Sequence, residues 1–172
     1  MITDYKVIIL RGPSGSGKST FVDLVAGRIG LENIRQVSVD HYFIGDDGVY
    51  RFDRRLMTKA LASCFRKYLE HLNSFTSSPS DVEGPRIIVD NANLTSWDIS
   101  PYVLAAQALG VPYVIADLEC DAYEAQIERA PNSILPSCLN VVRVDRIPNK
   151  GFTIRKKDSS EMFRLEEEGY IF

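Results

Sequence analysis

Histidine occurs only twice in this chain, at His41 and His71, and cysteine only three times, at Cys64, Cys120 and Cys138. Two imidazoles do not suffice for a histidine-rich metal centre. An odd number of well-separated thiols with no C-x-x-C spacing excludes a disulfide framework and a thiolate zinc site, and fits a reducing compartment. Long apolar runs are missing too, since none approaches the ~20 residues that cross a bilayer. The stretch from Met1 to Leu10 is too short for a secretory leader. The expectation is a soluble, cytoplasmic protein with no membrane partner. Nor is there an excess of positive charge: 20 Lys and Arg stand against 23 Asp and Glu, for a formal net charge of −3. That excludes a uniformly basic nucleic-acid binder and leaves local basic stretches to consider. No internal repeat or extended low-complexity segment is present. At 172 residues the chain is sized for one domain, 1–172.

What the chain does hold is Gly12-Pro13-Ser14-Gly15-Ser16-Gly17-Lys18-Ser19-Thr20. The stretch satisfies G-x-x-x-x-G-K-[ST] at every fixed position. It follows the apolar run Val7-Ile8-Ile9-Leu10 and opens a helical pattern, the context that gives the motif physical meaning. Its glycines let successive backbone N–H groups turn inward on an anion, because a residue without a Cβ takes up positive φ readily. The following helix aims its positive end at the same point. In such a P-loop Lys18 reaches the β- and γ-phosphates and the Ser19 hydroxyl ligates Mg²⁺. The expected ligands are a nucleoside triphosphate, ATP, and Mg²⁺; the loop leaves the reaction open.

Four apolar runs, Val7–Leu10, Ile34–Val39, Ile87–Val89 and Tyr113–Leu118, read as strands buried on both faces of a parallel sheet. Between them Leu56, Ala60, Leu61, Cys64, Phe65, Tyr68, Leu69 and Leu72 recur every three to four positions, a helical stripe that reads as core packing with no cofactor role. Ser100-Pro101 reads as an N-cap and first helical residue, and Gly110 as the stop. The alternation predicts an α/β fold, a P-loop NTPase three-layer sandwich with helices on both faces of a parallel sheet and ligands outside the carboxyl ends of the strands. Thr76–Pro85 reads as a surface loop. From about residue 150 a C-terminal extension carries a basic cluster, the acidic run Glu166-Glu167-Glu168 and an aromatic end, with no secondary structure assigned to it.

Two aspartates bear on the reaction. Asp40 closes the second apolar run and Asp90 the third, so both are expected at the sheet edge where the P-loop lies. Asp90, after Ile87-Ile88-Val89, reads as a carboxylate of the Mg²⁺ shell or as a turn former. Asp40 reads as a second metal-shell group, as a base for an acceptor hydroxyl, or as a cap. His41 reads as a packing or hydrogen-bonding neighbour of Asp40.

The P-loop, Val39-Asp40-His41-Tyr42-Phe43 and Ile87-Ile88-Val89-Asp90-Asn91-Ala92-Asn93-Leu94 together resemble the polynucleotide 5′-hydroxyl kinase family, a branch of the P-loop kinases. Asp47-Gly48-Val49-Tyr50-Arg51-Phe52 further resembles the kinase-like modules of some eukaryotic ubiquitin-ligase-binding proteins. The similarity covers roughly residues 4–130. It implies that Asp40 is general base on a 5′-hydroxyl, that Asp90 supports the active site, and that Asn93, at the asparagine of D-x-x-N-L, belongs to it. Two positions depart from the pattern. Phe43 stands where phage-type members carry an arginine for an acceptor phosphate. The lid segment Gln126–Pro131 keeps only Arg129 of the usual basic pair. Arg129 is then either a group that stabilises the transferring phosphoryl charge or a solvated helix arginine.

Two basic stretches complete the picture: Arg51, Arg54 and Arg55 interleaved with Tyr50 and Phe52, and Arg143, Arg146, Lys150, Arg155, Lys156 and Lys157. Each reads either as a contact surface for single-stranded nucleic acid or as a solvated face. The expected function is an ATP- and Mg²⁺-dependent kinase that acts on the 5′-hydroxyl of a nucleic acid. The alternatives are a kinase for a small metabolite, a sugar acid or nucleoside, and a non-catalytic nucleotide-binding regulatory module.

Overall fold

The first apolar run becomes strand β1 (Val7–Arg11), and all five of its residues are buried. The reason lies in what covers it. Val7 and Ile9 pack into a cluster with Cys64, Tyr68, Leu72, Ile99 and Tyr102 on one face, whereas Ile8 and Leu10 pack with Phe21, Val22 and Val25 on the other. Since successive side chains of a strand point to opposite faces, a strand covered on both sides must be apolar at every position. Each such side chain contributes about 1.5–3 kcal/mol on burial.

The computed structural model describes residues 2–12, 16–75, 84–120, 151–156 and 164–168. Pro13, Ser14, Gly15, Arg129, Arg143, Arg146, Lys150 and Lys157 lie outside the described residues. After β1 come α1 (Lys18–Ile29), β2 (Ile34–Val37), α2 (Met57–Asn73), β3 (Arg86–Asp90), α3 (Ser96–Ala108) and β4 (Tyr113–Cys120). The C-terminal extension adds β5 (Gly151–Lys156) and β6 (Arg164–Glu168). The sheet order is β2-β3-β1-β4-β5-β6. Neighbours run parallel up to β5, and β6 returns antiparallel, with Thr153 opposite Glu166 and Arg155 opposite Arg164. Helix α1 covers one face, and α2 and α3 cover the other. This is the expected P-loop NTPase-like α/β sandwich. β1 lies between β3 and β4, so the chain emerges from its carboxyl end into a crevice flanked by two later strands. No helix among the described residues is long and apolar enough to cross a membrane.

Three local expectations are corrected. β2 stops at Val37, two residues earlier than the apolar run suggested, because the Ser38 hydroxyl accepts the Asp40 N–H at 3.2 Å and caps a 3-10 turn, Val39–Phe43. Asp40 therefore sits in a turn beyond the strand and does not close it. α3 starts at Ser96: Thr95 is its N-cap and forms a capping box with Asp98. Its two reciprocal bonds outweigh the Ser100-Pro101 signal, and Pro101 lies inside the helix, where it removes one backbone hydrogen bond. Gly110 follows the helix with φ 66°, as the stop signal requires. Finally, the α2 stripe is only partly core. Ala60, Cys64, Tyr68 and Leu72 are buried, but Leu61 is exposed.

Candidate active site

At the end of β1 the chain turns at Gly12, whose N–H donates to the Ala92 carbonyl at 2.9 Å. A Cβ on Gly12 would lie 2.6 Å from Ser16 Oγ and 3.0 Å from the Leu118 carbonyl oxygen, so close approach demands glycine. Gly17, at φ 94°, adopts the left-handed conformation that lets α1 start immediately at Lys18, and among the described residues no side chain caps that helix. Its first backbone N–H groups thus have no intrahelical partner. The Ser16 hydroxyl is 2% exposed and has no hydrogen-bond partner among the described residues. Lys18 Nζ donates to the Gly12 carbonyl at 2.8 Å, across the base of the loop.

The wall beside the loop is the segment that follows β3. Asp90 is its last strand residue, in register with Leu10 of β1, and its Oδ2 accepts from Gln36 Nε2 of β2 at 2.8 Å. Asn93 takes up φ 49°, is buried, and donates to the Leu10 carbonyl at 2.6 Å. Arg11, 1% exposed, donates to Asp117 of β4 at 2.8 Å and to the Leu94 carbonyl at 2.7 Å. These bonds tie β1, β4 and the 91–94 segment together under the cleft. Asn91 links the other helices to it: its Oδ1 accepts the Val39 N–H at 2.8 Å, and its Nδ2 lies 3.3 Å from the Tyr102 hydroxyl and 3.6 Å from Cys64 Sγ. Val39 is thereby anchored one residue before Asp40.

Asp40 is exposed on its turn. The Tyr50 hydroxyl donates to its Oδ1 at 3.0 Å. Tyr50 arrives on a hairpin: the Arg51 N–H donates to the Phe43 carbonyl at 2.7 Å, Ile44 bridges Tyr50, and the Gly45 and Gly48 N–H groups close the tip. Phe43 is buried beneath, with its ring centroid 6.2 Å from that of Tyr50 and 5.0 Å from that of Phe52.

Together these groups surround a cleft of about 730 Å³. It is lined by Gly17 to Thr20, by Val39 and Asp40, by Asp90 to Leu94, by Met57 and Leu61 of α2, and by Asp98 and Tyr102 of α3. The structure thus brings together Lys18, Ser19, Thr20, Asp40, Asp90 and Asn93 as the sequence suggested. Burial pushes the Lys18 ammonium below its ordinary range, and the charges of Asp90 and Asp40 pull it back. Burial likewise pushes the Asp90 carboxyl up, opposed by Lys18 and by the Gln36 hydrogen bond. For both groups the loss of water outweighs the attraction between them. No three His, Cys, Asp or Glu side chains among the described residues form a metal-holding group.

The basic stretch after Tyr50 is less available than its sequence suggests. Arg51 makes two bonds to Asp47, at 2.8 and 2.6 Å, and Arg55 pairs with Asp53 at 2.8 Å. Sequence reasoning missed Gln36, Met57, the bond from Tyr50 to Asp40 and the lining role of Leu61. Gln36 could have been found as a polar residue inside a strand run next to the Asp90 strand. The Asp47-Gly48 pair is a hairpin signal, which would have folded Tyr50 back toward the second apolar run.

The family model of the AAA domain matches residues 7–130. Among solved structures, a candidate kinase from Chloroflexus aurantiacus shares 16% identity and a TM-score of 0.59, covering 89% of this chain and 85% of that one. Kti12 of Chaetomium thermophilum, in complex with ADP-AlF3, shares 14% identity and a TM-score of 0.55, covering 90% and 91%. A gluconokinase from Sinorhizobium meliloti shares 13% identity and a TM-score of 0.52, covering 90% and 85%. At such identities the likeness is one of fold.

Proposed function

We propose, from the premise that the chain belongs to the AAA domain family, that it is a kinase which moves the γ-phosphoryl group of ATP to a hydroxyl of a small molecule. The observation that carries this reading is the convergence of Lys18, Asp40 and Asp90 on one cleft at the carboxyl ends of the strands. The residues present suit a triphosphate with a divalent cation. Among the described residues the Ser16 hydroxyl is buried without a partner and α1 begins uncapped behind a left-handed glycine, and Lys18 and Asp90 are each pushed by burial toward their neutral forms. An anion relieves the first and a cation the second.

In this reading the P-loop, Gly12 to Thr20, cradles the phosphates, Lys18 faces the β- and γ-phosphates, and Ser19 and Asp90 hold Mg²⁺. Bound there, Mg²⁺ neutralises charge on the phosphate oxygens. With Ser19 and Asp90 as its protein ligands, such an ion would need no cluster of three carboxylates or imidazoles, of which there is none among the described residues. Asp40 accepts the proton of the acceptor hydroxyl as its oxygen bonds to the γ-phosphorus and the bond to the β–γ bridging oxygen breaks. Arg129 adds positive charge at the transferring group. Residues 1–172 act as one domain, with β5 and β6 supplied by the extension.

The acceptor is read as small because Arg51 and Arg55 are already paired with aspartates. The shared fold of a gluconokinase fits this choice. A second reading, the 5′-hydroxyl end of a nucleic acid, is favoured by one observation: Tyr42, Tyr50 and Phe52 are exposed rings beside the Asp40 turn, a surface on which bases stack. Incubation with γ-labelled ATP, Mg²⁺ and a panel of sugar acids, nucleosides and 5′-hydroxyl oligonucleotides tests both. Label on a small molecule supports the first reading and label on an oligonucleotide end the second. Label on neither, with nucleotide still bound, leaves a nucleotide-binding regulatory module.

A further inference from the structure

Asp40 has an exposed carboxylate on a short turn, a position from which a side chain ordinarily samples several rotamers. Among the described residues its backbone is held from two sides, by Ser38 at its own N–H and by Asn91 at the preceding one. Among those residues its carboxylate is held by one group, the Tyr50 hydroxyl. The geometry points to Tyr50 as the positioning residue for Asp40: by donating to Oδ1 it fixes the carboxylate so that Oδ2 faces the acceptor hydroxyl. This inference rests on the kinase reading for the identity of the proton that Asp40 takes.

The placement of Tyr50 is built into the hairpin. The main-chain bond from Arg51 to Phe43 and the Ile44–Tyr50 bridge set its backbone. The bidentate Arg51–Asp47 pair closes the same hairpin from outside. The Tyr50 ring meets the buried Phe43 ring edge-on, at 72°, so it cannot swing inward. Partial burial and the neighbouring Asp40 charge both push the phenol up, away from ionisation, and it remains a donor at neutral pH. A base with one oxygen occupied by a fixed donor and one open offers a single direction of proton transfer. Tyr50 is not among the residues that line the cleft, so in this inference it acts through the Asp40 carboxylate and does no chemistry itself.

Tyr50→Phe keeps the ring and its packing and removes only the donor. In the full chain we expect kcat for phosphoryl transfer to fall about tenfold, with KM for Mg²⁺–ATP and the melting temperature unchanged. The distinguishing readout is the Asp40→Asn background. There Tyr50→Phe should cost nothing further, because the group it positions no longer accepts a proton. NMR couplings between Hα and Hβ of Asp40 should report one rotamer in wild type and an average in Tyr50→Phe, with no acceptor needed. Equal couplings in the two proteins overturn the inference. So does a Tyr50→Phe loss that is as large with Asn at position 40 as with Asp. If wild type transfers phosphate to no hydroxyl while the couplings change as stated, the kinase reading falls and the positioning of Asp40 by Tyr50 stands.

Discussion

Around Lys18 the cleft is made of main chain: a glycine turn, uncapped N–H groups and carbonyls tied to the buried end of β1. Around Asp40 it is made of side chains carried on a 3-10 turn and a nine-residue hairpin, several of them exposed. Main chain recognises what every nucleotide shares, a row of phosphate oxygens, and it requires only that glycine and a small residue occupy the right places. Side chains on irregular segments can be exchanged without disturbing the sheet, so the proposed kinase would recognise its acceptor there. In the proposed reading, one half fixes the chemistry and the other chooses its recipient.

The largest test separates the halves by mutation. Lys18→Ala should lower phosphoryl transfer about 10³-fold and should also remove the thermal stabilisation by Mg²⁺–ATP, which at a hundred times Kd is about 2.7 kcal/mol. Asp40→Asn should lower transfer about 10²-fold while that stabilisation survives. Turnover and nucleotide-dependent melting, measured side by side, check the contrast. If both variants lose both properties, the halves are one unit.

A smaller effect concerns Asp90, which stands between them. Burial raises its folded pKa above the unfolded value of 3.8, so the stability this group contributes is fully present below that value. It is lost as pH rises through the raised one. Asp90→Asn carries no charge at any pH. The ligand-free variant should match wild type near pH 3.5 and melt higher at pH 7, by a few degrees if the difference is ~1 kcal/mol. It should also respond less to Mg²⁺. A wild type that melts above the variant at pH 7 would mean that attraction to Lys18 outweighs burial.

The smallest expected effect is on the acceptor side. Because Arg55 is paired with Asp53, Arg55→Ala should leave the salt dependence of oligonucleotide binding unchanged. A true phosphate contact would flatten the log–log slope by about 0.9. A slope that flattens would sharpen the acceptor toward nucleic acid.

The same division governs what could be read from sequence. β1, β3, the P-loop and Asp90 were legible because a strand covered on both faces leaves an unbroken apolar run, and a phosphate loop has fixed spacing. The start of α3 was not, since Ser100-Pro101 is a sound local signal that lost to the capping box five residues earlier. The end of β2 depended on a single serine hydroxyl. Leu61 shares the helical period of the core stripe, and period alone does not say whether a position at its margin meets the sheet or the cleft. Tyr50 reaches Asp40 by a turn, which leaves no periodicity to find.

The bonds from Arg11 to the Leu94 carbonyl and from Asn93 to the Leu10 carbonyl each join positions 83 residues apart. A ribosome delivers the amino-terminal partner first. At ~5–20 residues per second, the interval before residues 93 and 94 follow is about 4–17 s. During it the nascent segment Val7–Leu10 carries an apolar surface with none of its flanking strands to pair with, and the phosphate loop behind it has no anchor. The nucleotide half is thus completed only after residues 93 and 94 have been made, and until then its first strand is an apolar segment that needs protection from other chains.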